Sequence, residues 1–236
     1  MDVTKTRTLG ALAVIALGAV AAGTANAALV TITGGSSITT SNSGAQTNNV
    51  LGAGYVMQDN AVLATTGPTA RIEYFFLGSE SGWTNTLVTP FGSHAESDGY
   101  PGVWPGNALF SGVQAAAGAV DLKFASSGFA GFLTQGGGSA DRSIAFAFLD
   151  PGCLGAGTMV GKSACVSSSE VLDALGRAYV LFALDDSGAG PDDNHDDFVG
   201  YMRVSQVPLP AAVWLLGSGL LGLFAVGRRR KNAPVA

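Results

Sequence analysis

Charge is scarce in this chain, and histidine and cysteine are scarcer. Asp, Glu, Lys and Arg together make up 12% of the 236 residues, beside two His and two Cys. Basic residues are the rarest in the middle of the chain. Residues 28–206 hold 16 acidic groups against 6 basic ones, a formal charge of −10. A body of that sign repels nucleic acid and anionic lipid and attracts cations. It has no basic footprint for nucleic-acid binding, so no nucleic-acid partner is expected. The two histidines, His94 and His195, are far apart in sequence, which leaves a transition-metal site at His195 without a second nitrogen ligand. They leave room for a Ser–His–Asp triad, but no sequence signal points to one, and the body has no G-x-S-x-G elbow. Long hydrophobic runs are confined to the two ends, and no internal repeat is found.

The first run begins a secretory signal. Lys5 and Arg7 precede the apolar stretch "LGALAVIALGAVAA", and Ala25-Asn26-Ala27 is a small-x-small cleavage signature, placing the cut between Ala27 and Ala28. The apolar stretch is short of the roughly 20 residues of a comfortable span. The competing reading is a buried N-terminal helix, but three signals in the right order favour export. In an exported chain an even cysteine count predicts a disulfide, here Cys153–Cys165. It would close a small Gly-rich loop and contribute about 2–3 kcal/mol. A metal or redox pair is the alternative, and the eleven-residue spacer with no nearby His argues against it.

Between the ends the sequence reads as β-structure. Candidate strands are 28–33, 49–57, 70–78, 84–89, 119–125, 143–149, 178–184 and 198–204, each bounded by Gly, Ser, Asn, Asp or Pro. "RIEYFF" and "VDLKFA" alternate as half-buried strands do, whereas "SIAFAFL" and "AYVLFAL" are almost wholly apolar and fit central strands buried on both faces. Only "SSSEVLDALGR" (167–177) reads as a helix, with capping serines, Glu170 in its first turn and Gly176 at its end. Residues 34–49 and 91–107 read as polar loops. The expected fold is all-β: a single antiparallel, jelly-roll-like β-sandwich over 28–206.

The densest chemical feature is "LDDSGAGPDDNHDD" (184–197), which crowds Asp185, Asp186, Asp192, Asp193, Asp196 and Asp197 into thirteen residues. Like charges this close repel, and a hard cation offsets them directly. Calcium favours carboxylates, carbonyls and waters in flexible loops. Asp192-x-Asn194-x-Asp196 has the opening spacing of a calcium loop. It departs from the EF-hand pattern, because Asp197 stands where Gly is required and Arg203 where a Glu would be. The candidate metal ligands are therefore Asp185, Asp186, Asp192, Asn194, Asp196 and Asp197. The bland alternative is a solvated acidic turn, since Asp, Asn and Gly are ordinary turn residues. Trp83, Tyr100 and Trp104 are candidate sugar contacts, with end-plugs of the sandwich as the competing role. Glu73, Glu80, Glu96 and Asp98 are the carboxylates available to a glycosidase pair, though scattered carboxylates on a β-protein are usually surface.

The C-terminal run, Leu209 to Val226, has no charge and spans about 27 Å as a helix, enough for a bilayer. Arg228, Arg229, Arg230 and Lys231 follow it and fix that end on the cytoplasmic side. The motif Val207-Pro208-Leu209-Pro210-Ala211, the Gly-bearing apolar segment and the basic stop occur together at the end of an exported chain. This arrangement resembles the PEP-CTERM group of exported bacterial proteins, in its VPLPA variant. The resemblance implies recognition by an exosortase-type membrane peptidase. It also implies a transient anchor and delivery to the cell surface or exopolysaccharide matrix of a Gram-negative bacterium. The chain lacks the Pro-Glu-Pro of the main group, which implies a variant sortase. The organisation is then signal peptide (1–27), exported body (28–206) and sorting segment (207–236). The expected function is a non-catalytic, calcium-stabilised surface or matrix protein. A carbohydrate-binding module is the alternative, and a glycoside-active enzyme is the weakest reading.

Overall fold

In a computed structural model the chain is described over residues 28–43, 46, 47, 49–96, 103–139, 142–186 and 195–207, with Leu216 and Gly219 beyond them. The expected signal peptide lies outside the described residues. So does the expected span (209–226), apart from Leu216 and Gly219, which are helical. Among the described residues no helix is long and apolar enough to cross a membrane.

The body is β-structure, and its strand pairs are antiparallel. A large sheet runs in the order Ala108–Gln114, Ala70–Gly78, Phe198–Gln206, Ala178–Asp185, Ser143–Leu149, Val56–Asp59, Ser36–Thr39. The short Val166–Ser167 strand also pairs with Ser143–Leu149. The two almost wholly apolar strands are adjacent at its centre, in register from Ser143↔Asp185 to Phe148↔Val180. Every residue of both is buried.

Both faces of this sheet are covered, so it is a middle layer and not one half of a simple sandwich. One face carries Ile72, Tyr74, Phe146, Phe182 and Met202. It packs on Leu87, Phe124 and Leu133 of a four-stranded sheet (Phe129–Thr134, Lys123–Ser126, Asn85–Thr89, Gly92–Ala95). Leu63 and Val30 of a three-stranded sheet (Val30–Thr33, Val62–Thr65, Gly118–Ala119) complete that core. The other face carries Phe75, Tyr179, Leu181, Val199 and Tyr201 under loops and two short helical turns, Pro151–Leu154 and Ser163–Cys165, which contribute Val50, Leu51, Tyr55, Leu154, Met159 and Cys165. The disulfide Cys153–Cys165 ties that cover together. Alternating residues of central strands thus feed two separate cores, which is why those strands contain almost no polar residue.

Four sequence expectations are corrected. Residues 167–177 form no helix. Glu170 instead accepts the amides of Leu29 (2.9 Å) and Val30 (2.8 Å). Asp173 gathers the amides of Leu175 and Arg177, the Arg177 guanidinium and the Tyr179 hydroxyl. Carboxylate and hydroxyl side chains that bond nearby backbone compete with a helix in this way. The expected strand at 49–57 begins only at Val56, because Gly52 (φ 82) and Gly54 (φ 90) turn the chain before it. The polar stretch 34–49 is not a plain loop: Ser36–Thr39 pairs along Val56–Asp59 as the sheet edge. Within 91–107, Gly92–Ala95 forms a hairpin with Asn85–Thr89.

Candidate functional site

The ends of four central strands meet at one pole of the large sheet. Ser143 opens its strand opposite Asp185, Phe198 opens the last strand opposite Leu184, and Gly78 closes its strand opposite Val199. The acidic segment therefore leaves and re-enters the sheet at this pole. Of the six expected metal ligands, Asp192 and Asn194 lie outside the described residues. The other four are placed together and are buried: Asp185, Asp186 and Asp196 at 1% exposure and Asp197 at 7%. A solvated acidic turn would expose them, so that bland alternative does not describe these four.

Asp186 accepts from Ser81 Oγ and from Asn85 Nδ2, each at 2.7 Å. Its own amide donates to Asp197 Oδ2 at 2.7 Å. The Asn49 amide donates to Asp196 Oδ2 (3.2 Å) and Asn49 Nδ2 to Glu80 Oε1 (2.6 Å), while the Glu80 amide donates to the Asp196 carbonyl (2.9 Å). Burial, then the charges of Asp186 and Asp196, push the Asp197 carboxyl up to about 8. A group so placed takes up a proton at neutral pH unless a cation offsets its neighbours. Among the described residues no three His, Cys, Asp or Glu side chains form a metal-ligand group.

His195 sits in this pole with a left-handed backbone (φ 57). Its Nε2 is 2.9 Å from Ser143 Oγ and 3.3 Å from Asp59 Oδ1. Burial opposes ionisation of Asp59, but hydrogen bonds to His195 and Ser143 outweigh it and hold that carboxyl below the usual range. Ser, His and Asp are thus neighbours, but not as a catalytic relay. A relay uses one ring nitrogen for Ser and the other for Asp, and here both partners face Nε2. Nothing in the local sequence signals this trio, because Ser143 and Asp59 come from separate strands. His94, remote in sequence from the acidic segment, packs 6.3 Å from the ring of Phe198, immediately after Asp197. Burial lowers its pKa, which favours the neutral ring.

The sugar-contact candidates are placed differently. Trp104 is 7% exposed, its ring 4.4 Å from Tyr201 and 5.2 Å from Tyr179, within the second core. It offers no open face for a sugar and serves as a core residue. Trp83 is half-buried over Gly128, and Tyr100 lies outside the described residues. The glycosidase carboxylates are dispersed: Glu73 pairs with Arg203 at 2.6 Å, Glu80 serves Asn49, and Glu96 accepts the Asn85 amide at 2.7 Å. Asp98 lies outside the described residues.

At the opposite pole the last strand ends on Gln206, paired with Ala70, and the Val207 amide donates to the Thr69 carbonyl. Pro208, Leu209, Pro210, Ala211 and the basic stop, Arg228 to Lys231, lie outside the described residues. A family model described as the PEP-CTERM protein-sorting motif matches residues 206–231. That motif is a sorting signal recognised by exosortase, a membrane protease, and implies export with transient membrane processing toward the cell surface. The match begins where the sheet ends. No curated protein and no solved structure gives a match.

Proposed function

We propose that this is a non-catalytic surface or exopolysaccharide-matrix protein of a Gram-negative bacterium, processed through a VPLPA-type sorting segment. The match over 206–231 carries this reading. The signal-like residues 1–27, with cleavage before Ala28, support export. An exosortase-type peptidase cuts near Val207–Ala211 and releases the 28–206 body from its transient anchor. The test is to express the full chain with and without its exosortase. A smaller form leaving the membrane fraction only when the enzyme is present is the expected result. Identical mass and location in both hosts would overturn the reading.

Calcium is the resident cation of the acidic pole in this proposal. Four buried aspartates, Asp185 and Asp186 at the end of one strand and Asp196 and Asp197 just before the next, support it, since a divalent ion offsets their repulsion. The full-length chain in detergent micelles should melt at a higher temperature in calcium than in EGTA, because a ligand of the native state raises its stability. An unchanged melting temperature would remove the calcium reading and leave the sorting reading intact.

A further inference from the structure

Glu170 is half-buried, and both of its oxygens are spent on neighbouring backbone groups. Oε2 accepts the Leu29 amide at 2.9 Å and Oε1 the Val30 amide at 2.8 Å. The chain bends at Leu29, just before the strand Val30–Thr33, and the two successive amides converge on one carboxylate. Successive N–H groups turned to one side form a concavity for negative charge. Among the described residues no Lys, Arg or His side chain makes an ion pair with Glu170. The carboxylate is thus held by neutral donors and carries its charge without a cation.

Ala28 is fixed beside it. Its carbonyl accepts from the Thr66 hydroxyl, and the Leu29 carbonyl accepts the Thr66 amide at 3.0 Å. The peptide joining Ala28 to Leu29 is therefore clamped at its C=O by Thr66 and at its N–H by Glu170. Three bonds, of about 1.46, 1.52 and 1.33 Å, link the Ala28 nitrogen to the Leu29 nitrogen. The Ala28 nitrogen thus lies at most roughly 7 Å from Glu170 Oε2. That upper limit is close to the about 4–6 Å at which an opposite charge favours an ionised form. Within a peptide bond this nitrogen is neutral. Ala28 is exposed, so a charge created there keeps its water.

We propose that Glu170 is the receptor for the α-ammonium released when a signal peptidase cuts between Ala27 and Ala28. The proposal rests on the cleavage reading above. Water adds across that peptide bond. Its oxygen stays on Ala27, which leaves as a carboxylate, and its two protons go to the Ala28 nitrogen, which becomes an ammonium. The new cation pairs with Glu170 and ties the strand Val30–Thr33 to the 166–177 segment. That segment begins on the central sheet, where Val166–Ser167 pairs with Ser143–Leu149. Export processing thereby adds a charge pair to a contact that neutral amides already hold in place.

The test uses the full chain exported in a Gram-negative host and recovered in detergent micelles. N-terminal sequencing should read Ala-Leu-Val-Thr, residues 28–31. Acylation of that α-amine by a succinimidyl ester at neutral pH and low salt is then timed in the parent and in Glu170→Gln. Only the unprotonated amine reacts. Pairing should slow the parent by about threefold or more, which corresponds to a rise of about 0.5 from the ordinary α-amino value of about 7.7–8.0. The difference should collapse in salt of about 1 M, where the Debye length is about 3 Å. A chain left uncut, or cut elsewhere, overturns the cleavage reading and this assignment with it, and leaves the sorting match untouched. Cleavage before Ala28 with equal rates, or with a difference that survives high salt, overturns this assignment alone. Should Glu170→Gln fail to fold, the parent decides. Its α-amine should react about threefold more slowly folded than in urea, and equal rates overturn the assignment.

Discussion

Replacing Trp104 by Ala separates a core role from a sugar-binding one. The indole is 7% exposed and lies on Tyr201 and Tyr179, in the core beneath the disulfide-tied cover. A buried Trp removes about 150–250 Å² from water, worth on the order of 4–6 kcal/mol at 25 cal/mol per Å². Measured truncations of buried Phe and Trp cluster at about 3–5 kcal/mol, since the cavity closes only in part. For a body of this size each kcal/mol moves the melting temperature by about 2–4 °C, so a fall of roughly 10 °C is expected. Thermal melting of the full chain in micelles is the assay, with Trp104→Phe as the control. Phe keeps a ring over Tyr201 and should recover much of the loss. A Trp104→Ala chain that melts within about 2 °C of the parent would refute the core assignment, because surface substitutions typically cost no more than about 0.5 kcal/mol.

Two further outcomes follow from local geometry. Partial burial raises the Asp173 carboxyl, but bonds from Arg177, Tyr179 and the Leu175 amide outweigh it and set it to about 2, against 3.8 when unperturbed. Its folded pKa is depressed, so its contribution of about 2 kcal/mol is present above pH 4 and is lost as pH falls from 4 toward 2. Asp173→Asn should lower stability at pH 7 and flatten the acid limb of the unfolding profile, and an unchanged limb would contradict the assignment. A Cβ on Gly200 would sit 2.3 Å from the Phe182 ring and 2.5 Å from the Phe75 carbonyl, and that backbone atom has no room to yield. Gly200→Ala should therefore cost about 1–3 kcal/mol or more in urea unfolding. Gly82→Ala, with nothing within 4 Å, should be neutral.

The central strands were legible because burial on both faces removes polar residues from them. Residues 70–78 and 143–149 are strands at the expected bounds. Edge strands such as Ala108–Gln114 and Phe129–Thr134 were not, since their exposed positions break the apolar pattern. The apparent helix at 167–177 misled for a physical reason. Its first-turn carboxylate, Glu170, is used across the fold by amides 140 and 141 residues away. The acidic segment announced itself by composition, but its partners did not. Asn85, Asp59 and Ser143 reach it only through sheet pairing, and His94 only through packing on Phe198.

The last strand gives the body a polarity. Phe198 begins at the acidic pole, and eight residues later Gln206 ends at the sorting segment. At 3.2–3.4 Å per residue that separates the two poles by roughly 26 Å, well beyond a Debye length of about 8 Å in physiological salt. The acidic pole and the end at which the sorting motif begins are thus electrostatically independent, so a change of charge at one does not bear on the other.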